Sequence, residues 1–487
     1  MNIKLNEEYE VEIIDMGTEG EGIGKINGIT VFVNGGIKGD TVKVKITKVS
    51  KNYVSGKIIK LINESELRQS APCKVANKCG GCQIQQIKYE EQLKIKEKIV
   101  KDALERIGKF NSPLPLLEGE GRVRVVDSCF NINPIIGMED PYHYRNKAMF
   151  PVGIVNGELA IGCYKQASHD IVDTDKCIIQ DKITEKILKI IRNYLQSKYL
   201  LITQKGEGKS DYESLIYDEQ THTGLIRNIM IRNGYKTGEI MVCIIINGES
   251  IIDKNELVYK LKSIKEIKSI VLNINTKKGN QVLGDKTRVI DGQDYITDNI
   301  GDIKYKISAR SFFQVNPVQT EILYAKTLEY AELTGNEIVW DAYCGTGSIS
   351  LFLAQKAKKV YGVEIIEEAI NDANENAKEN GIENIEFFVG LAEEVIPRHF
   401  KQTGVKPDVI VVDPPRKGCD EKLLQTIVEM KPDRVVYVSC NPATLARDLR
   451  YLCDNGFEMD VVQPVDMFPH TMHVEAVVKL TRREATK

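Results

Sequence analysis

Cys440 directly follows the apolar run Arg434-Val435-Val436-Tyr437-Val438-Ser439 and directly precedes Asn441-Pro442. The run predicts a short strand. Pro442 predicts the first turn of a helix, where a missing amide hydrogen costs nothing. A thiol at a strand's carboxyl end beside a helix start is placed to act as a nucleophile, because the helix amino terminus favours a thiolate. A small buried thiol is the commoner fate of cysteine, so it is the position that marks Cys440. A second run, His470-Thr471-Met472-His473-Val474-Glu475-Ala476-Val477-Val478, carries one carboxylate, Glu475. Burial would raise its pKa and suit it to removing a proton.

Three further chemical groups also end apolar runs. Asp341-Ala342-Tyr343-Cys344-Gly345-Thr346-Gly347 follows one strand and opens a helix, and Glu364 ends the next strand. Glycines let a ligand approach the backbone, and a carboxylate about 20 residues on can accept from two ribose hydroxyls. Ser350 occupies the place of the third glycine in the dinucleotide fingerprint, which argues against a nicotinamide dehydrogenase. The form Asp-x-Tyr-x-Gly-x-Gly looks instead like the loop of Rossmann-like methyltransferases. Asp413-Pro414-Pro415-Arg416 ends a third strand, with Arg416 where methyltransferases acting on amino groups usually carry an aromatic residue.

The elements that must position these groups are strands at Ile338–Asp341, Val360–Glu364, Val409–Asp413 and Val435–Ser439, alternating with helices such as Ser348–Ala357 and Glu367–Asn380. That alternation predicts a doubly wound parallel sheet, in which ligands sit beyond the carboxyl ends of the strands. Upstream, β-branched runs at Tyr9–Ile14, Thr30–Val33, Thr41–Val49 and Tyr53–Ile62, separated by glycine clusters, predict a small closed barrel. A charged helix over Tyr89–Ile107, a second helix over Ile183–Leu200 and strands at Ile240–Ile246 and Ser269–Asn275 predict a central α/β region. The expected division is a barrel over 1–62, a central domain over 63–305 and a Rossmann-like domain over 306–487.

Composition narrows the class. With 487 residues, 42% hydrophobic and 28% charged, the chain can build several globular cores. Met1–Glu8 has no basic-then-apolar pattern and no apolar run is long enough to span a bilayer, so the expected location is the cytoplasm, with no membrane partner. The net charge of -3 excludes a generic polyanion binder, although Lys38, Lys43, Lys45, Lys48, Lys51, Lys57 and Lys60 concentrate positive charge on the barrel. Eleven cysteines over this length do not read as a disulfide scaffold. Cys73, Cys79 and Cys82 fall in one glycine-containing loop, with Cys129, Cys163 or Cys177 as a fourth ligand of zinc or an iron–sulfur cluster.

Taken together, Ser311-Phe312-Phe313-Gln314-Val315-Asn316, the loop at 341–347, Asp413-Pro414-Pro415-Arg416, Ser439-Cys440-Asn441-Pro442 and His473-Val474-Glu475-Ala476 resemble the RNA uracil-5 methyltransferase family. The glycine-rich stretch Met16–Gly24 with Val31-Phe32-Val33 resembles a TRAM domain, an OB-like RNA-binding barrel. The resemblance implies Cys440 as nucleophile, Glu475 as base, and contacts to S-adenosylmethionine from Gln314, Tyr343, Glu364 and Asp413. It assigns Cys177 as the fourth ligand beside Cys73, Cys79 and Cys82, and favours a [4Fe-4S] cluster.

A thiol suits that chemistry. Carbon 5 of uracil is too weak a nucleophile until sulfur adds to carbon 6 and makes the ring an enolate. Barrel plus cysteine loop looks like the branch acting on 23S rRNA more than the compact transfer-RNA branch, and a monomer is expected. His470 and His473 read as structural or RNA-contacting. Cytosine-5 methyltransferases place a cysteine after the first proline of the Asp-Pro loop; here Pro415 stands there and Cys419 reads as incidental. An RNA-binding iron–sulfur protein without activity is the non-enzyme alternative, opposed by the joint presence of Cys440, Glu475, Glu364 and Asp413.

Overall fold

The structure is a computed structural model that describes residues 3–110, 130–204 and 215–483. Strands Glu8–Met16, Gly22–Ile26, Ile29–Asn34, Thr41–Val49 and Tyr53–Asn63 close into a five-stranded barrel. Alternation does the work here: Val11, Ile13, Val31, Val33, Val42, Val44, Ile46 and Val54 point inward and are almost fully buried, while lysines and glutamates between them face out. The lysines are partly neutralised across the ladder, since Glu8 pairs with Lys45 and Glu10 with Lys43, and Lys43 also bridges Glu8 at 2.8 Å.

The central region is a seven-stranded mixed sheet backed by the helices Ile183–Gln204 and Lys254–Leu261. Its middle strands Ile226–Asn233 and Ile240–Ile246 are buried along nearly their whole length.

The carboxyl-terminal sheet has eight strands, in the order Ile385–Val389, Lys359–Glu364, Ile338–Ala342, Val409–Val412, Arg434–Ser439, Glu475–Arg482, Phe457–Val465 and Asn131–Ile132. The first five run parallel, and Glu475–Arg482 runs antiparallel to both of its neighbours. Val435, Val436, Tyr437 and Val438 are wholly buried, as a strand covered on both faces requires.

Two pieces from within 63–305 are built into this sheet. Asn131–Ile132 pairs with the otherwise open edge of Phe457–Val465. The helix Tyr89–Arg106 packs Val100, Ala103 and Leu104 into the core beneath the helix Pro442–Asp454. Among the described residues no helix is long and apolar enough to cross a membrane.

Candidate active site

The strand ends converge as the doubly wound topology requires. After Ile338–Ala342 the chain turns sharply: Tyr343, Gly345 and Gly347 all have positive φ, at 67°, 55° and 78°. At Gly347 only glycine fits, since a Cβ would lie 2.8 Å from the Phe387 ring and 3.1 Å from Ala373. Glu364 lies across this loop. Its carboxylate accepts from the Gly345 amide at 3.3 Å and from the amides of Ile365 and Ile366 at 2.9 and 3.1 Å. Asp341 accepts from Ser350 Oγ at 2.5 Å, and its other oxygen is buried without a partner. Burial, with Asp413 and Glu364 nearby, pushes Asp341 up to about 7.

The remaining expected cofactor residues are less uniform. Asp413 ends the strand Val409–Val412 and burial pushes its carboxyl to about 7. The Tyr343 hydroxyl turns toward the next loop, where it accepts from the Asp420 amide at 3.4 Å. Gln314 is fixed through its backbone, whose carbonyl accepts from Asn146 Nδ2 at 3.0 Å. Its segment is held on both sides, by Ser311 to Asp372 at 2.9 Å and by Asn316 to the Met467 carbonyl at 2.9 Å.

Cys440 and Glu475 meet through strand register. Ser439 pairs with Ala476 in the antiparallel ladder, so the next residue outward on each strand faces the other. Glu475 is buried, and its carboxyl is pushed up to about 8 by desolvation and then by Asp413, with Arg416 opposing. The Cys440 thiol is pushed up to about 11 by burial and by Glu475 and Asp413, again against Arg416. The thiolate expected from the helix start is therefore outweighed in this state: Asn441 caps the helix by accepting from the Ala443 amide at 3.1 Å, but two carboxyl groups lie beside the sulfur. The loops are stitched together by the Arg416 carbonyl, which accepts from Asn441 Nδ2 at 2.9 Å and Thr444 Oγ1 at 3.3 Å. Cys419 is buried, and its amide donates to Asp448 at 2.8 Å.

Cys440 opens onto a cleft of about 1240 Å³ whose far wall is the barrel, including Phe32 and Lys38, and whose floor is the helix Tyr89–Arg106. Of the barrel lysines named above, Lys38 alone lines it. His473 also lines the cleft, whereas His470 is fully buried.

The thiols Cys73, Cys79, Cys82, Cys163 and Cys177 are free and half-buried. Cys79 and Cys163 lie side by side, which draws the Cys79 thiol down and raises that of Cys163, while burial pushes Cys82 up to about 12. The pairing thus brings in Cys163, which the expected ligand set leaves out. Among the described residues no group of three or more histidine, cysteine or carboxylate side chains is arranged to hold a metal ion. Cys129 lies outside the described residues.

A buried network around Lys96, Asp466 and His470 went unread in the sequence. A signal was present: Gln92, Lys96, Val100, Ala103 and Leu104 form one buried helical stripe, with Lys96 in its middle.

A glycine-turn loop, a carboxylate ending the second strand and a reversed terminal strand define a Rossmann-like methyltransferase domain. Residues 237–483 match the family model described as tRNA (Uracil-5-)-methyltransferase, and residues 4–59 match the TRAM domain. An uncharacterized RNA methyltransferase of Clostridium acetobutylicum is 49% identical over 481 residues, covering 99% of this chain and 98% of that protein. Another from Halalkalibacterium halodurans is 49% identical over 479 residues, covering 98% of each. The crystal structure of Pyrococcus abyssi tRNA (uracil-54, C5)-methyltransferase with S-adenosyl-L-homocysteine superposes with a TM-score of 0.74 at 26% identity, covering 97% of this chain and 100% of that one. The chain belongs to the tRNA (uracil-5-)-methyltransferase family, with an amino-terminal TRAM barrel.

Proposed function

We propose that this protein methylates carbon 5 of a uridine in RNA through a transient bond between Cys440 and carbon 6. The observation that carries this reading is the register that sets Glu475 opposite Cys440. A carboxylate beside the thiol, Asp413 or Glu475, receives its proton as sulfur adds to carbon 6, and Glu475 must be ionised before the later step. After carbon 5 has accepted the methyl group, the Glu475 carboxylate removes the proton from that carbon, and sulfur leaves. Arg416 is the cation beside both groups and offsets the negative charge that develops there. The cleft between the barrel and Cys440 admits a nucleotide taken out of its stack, as attack on carbon 6 requires.

The site fits a cationic methyl donor. Asp341, Glu364 and Asp413 converge, and burial holds Asp341 and Asp413 above the usual carboxylate range. Gln314, Tyr343, Glu364 and Asp413 would hold S-adenosylmethionine, which supplies the methyl group and a positive sulfonium. Cys73, Cys79, Cys82 and Cys177 would hold a [4Fe-4S] cluster. Cys73, Cys79 and Cys177 all act on the Cys82 thiol, which supports this donor set, although among the described residues no three of them are arranged to hold a metal ion. The cluster would order its loop and take no part in methyl transfer. Anaerobically purified protein should then carry about four irons, and bound zinc in their place would overturn this assignment.

The proposed substrate is 23S rRNA, acted on by a cytoplasmic monomer. Transfer RNA is the second reading, favoured because a Pyrococcus abyssi enzyme described as acting on tRNA aligns with 97% of this chain. Barrel-containing length therefore does not separate the two substrates. Mass spectrometry of nucleosides from 23S rRNA and tRNA, with and without the gene, decides between them. The adduct is tested with RNA containing 5-fluorouridine, which cannot lose a proton at carbon 5: in the presence of cofactor it should become covalently fixed to Cys440.

A further inference from the structure

The segment Asp466–Val474, which leads into Glu475, is held largely from outside its own sheet. Lys96, fully buried in the helix Tyr89–Arg106, donates to Asp466 Oδ1 at 2.5 Å and to the Phe468 carbonyl at 2.9 Å. Tyr89 on the same helix donates to Asp466 Oδ2 at 2.8 Å. Gln92 accepts from the His470 amide at 3.0 Å, and its Nε2 lies 3.3 Å from His470 Nδ1. His470 has φ 69° and stacks on Tyr142 at 4.9 Å between centroids. Its carbonyl accepts from the amides of Gln83 and Ile84, both at 3.1 Å. Gln83 Oε1 accepts from the Met472 amide at 3.4 Å. Gln83 directly follows Cys82, so the cysteine loop and the loop entering Glu475 are joined by hydrogen bonds.

A bent segment with a left-handed histidine does not support itself. Its few internal hydrogen bonds leave its path to be set by the groups that grip it. A fully buried lysine–aspartate pair adds little net stability, because desolvation consumes most of the Coulomb gain, but it can select one arrangement. A catalytic base needs that kind of selection, since its geometry must hold to about 0.5 Å.

We propose that Lys96 and Gln83 are positioning residues for proton removal: they fix the loop that aims Glu475, and so set the rate at which the covalent RNA adduct resolves. This rests on Glu475 being the base. In the step concerned, the Glu475 carboxylate takes the proton from carbon 5. The electrons of that C–H bond become the carbon 5–carbon 6 double bond, and the carbon 6–sulfur bond breaks with its pair returning to Cys440.

The test is single turnover of the full-length protein on an RNA transcript that the parental protein methylates. Adduct and released product are followed separately for Lys96→Met, Gln83→Ala and Glu475→Gln. Lys96→Met and Gln83→Ala should form the adduct at the parental rate, resolve it at least tenfold more slowly, and bind S-adenosylmethionine unchanged. Lys96→Met leaves a buried carboxylate without its cation, so Lys96→Met/Asp466→Asn is measured beside it. The double variant should regain melting temperature without regaining the resolution rate. Recovery of both together would reduce the pair to a structural role and overturn the proposal. Parental resolution in Lys96→Met and Gln83→Ala, with Glu475→Gln still trapping the adduct, would overturn it too. Parental resolution in Glu475→Gln would instead refute the base assignment beneath it.

Discussion

Cys440 and Glu475 face each other because Ser439 and Ala476 are paired across the two strands that deliver them. The strand Arg434–Ser439 runs parallel to its other neighbour, Val409–Val412, so both of those strands end at the same edge of the sheet. Only a reversed strand can bring its amino end to that edge. Glu475–Arg482 is that strand, and its first residue is the buried carboxyl.

Cys440→Ala should therefore remove methyl transfer to background while leaving cofactor affinity and melting temperature close to parental, because the residue is only half-buried. Transfer of labelled methyl groups into substrate RNA measures this. Retained turnover would exclude sulfur as the nucleophile.

Glu475→Gln keeps the shape of the side chain but cannot take a proton. Turnover should fall about 10²–10⁴-fold, with a protein–RNA adduct visible on denaturing gels. The same loss of turnover without an adduct would place Glu475 before bond formation rather than after it.

The elevated carboxyl also predicts a pH dependence of folding. Glu475 is raised from 4.5 to about 8, so between those values the folded protein holds a proton that the unfolded chain has lost. Its contribution to stability is fully present below about pH 4.5 and is lost as pH rises toward 8. One such proton is worth about 1.4 kcal/mol per pH unit. In cofactor-free protein, Glu475→Gln should flatten the pH slope of urea-unfolding free energy by up to that amount between about pH 5.5 and 7.5. An unchanged slope would mean the carboxyl is already ionised.

At Gly347, alanine meets both a left-handed backbone and the Phe387 ring. Gly347→Ala should cost about 1–3 kcal/mol of stability and weaken S-adenosylmethionine binding at least tenfold, as read by thermal melts and calorimetry. Undiminished affinity would move the cofactor away from this turn.

Much of the site was legible because a doubly wound sheet places its ligands by topology: once the short apolar runs were recognised, Asp341, Glu364, Asp413 and Cys440 had to converge. Glu475 could be read because a lone carboxylate interrupts an apolar run. The ionisation of Cys440 was not legible, since a helix start at Pro442 is visible locally whereas the nearness of Asp413 and Glu475 depends on strands far apart in the chain. Lys96 stayed hidden for a similar reason. In a helix as charged as Tyr89–Arg106 one more lysine looks solvent-facing, and its partner Asp466 lies 370 residues away. The nearness of Cys79 and Cys163 likewise depends on how a distant hairpin folds back over the cysteine loop, where Cys79 bridges Lys165.

The helix Tyr89–Arg106 and the strand Asn131–Ile132 have a consequence for how the molecule is made. Both lie early in the chain, yet their partners, Pro442–Asp454 and Phe457–Val465, are made several hundred residues later. A nascent chain must carry Val100 and Leu104 uncovered through most of its synthesis. The core thus closes only after those late segments have emerged, and a fragment expressed from residue 306 onward would begin life with its outermost strand and one flank bare.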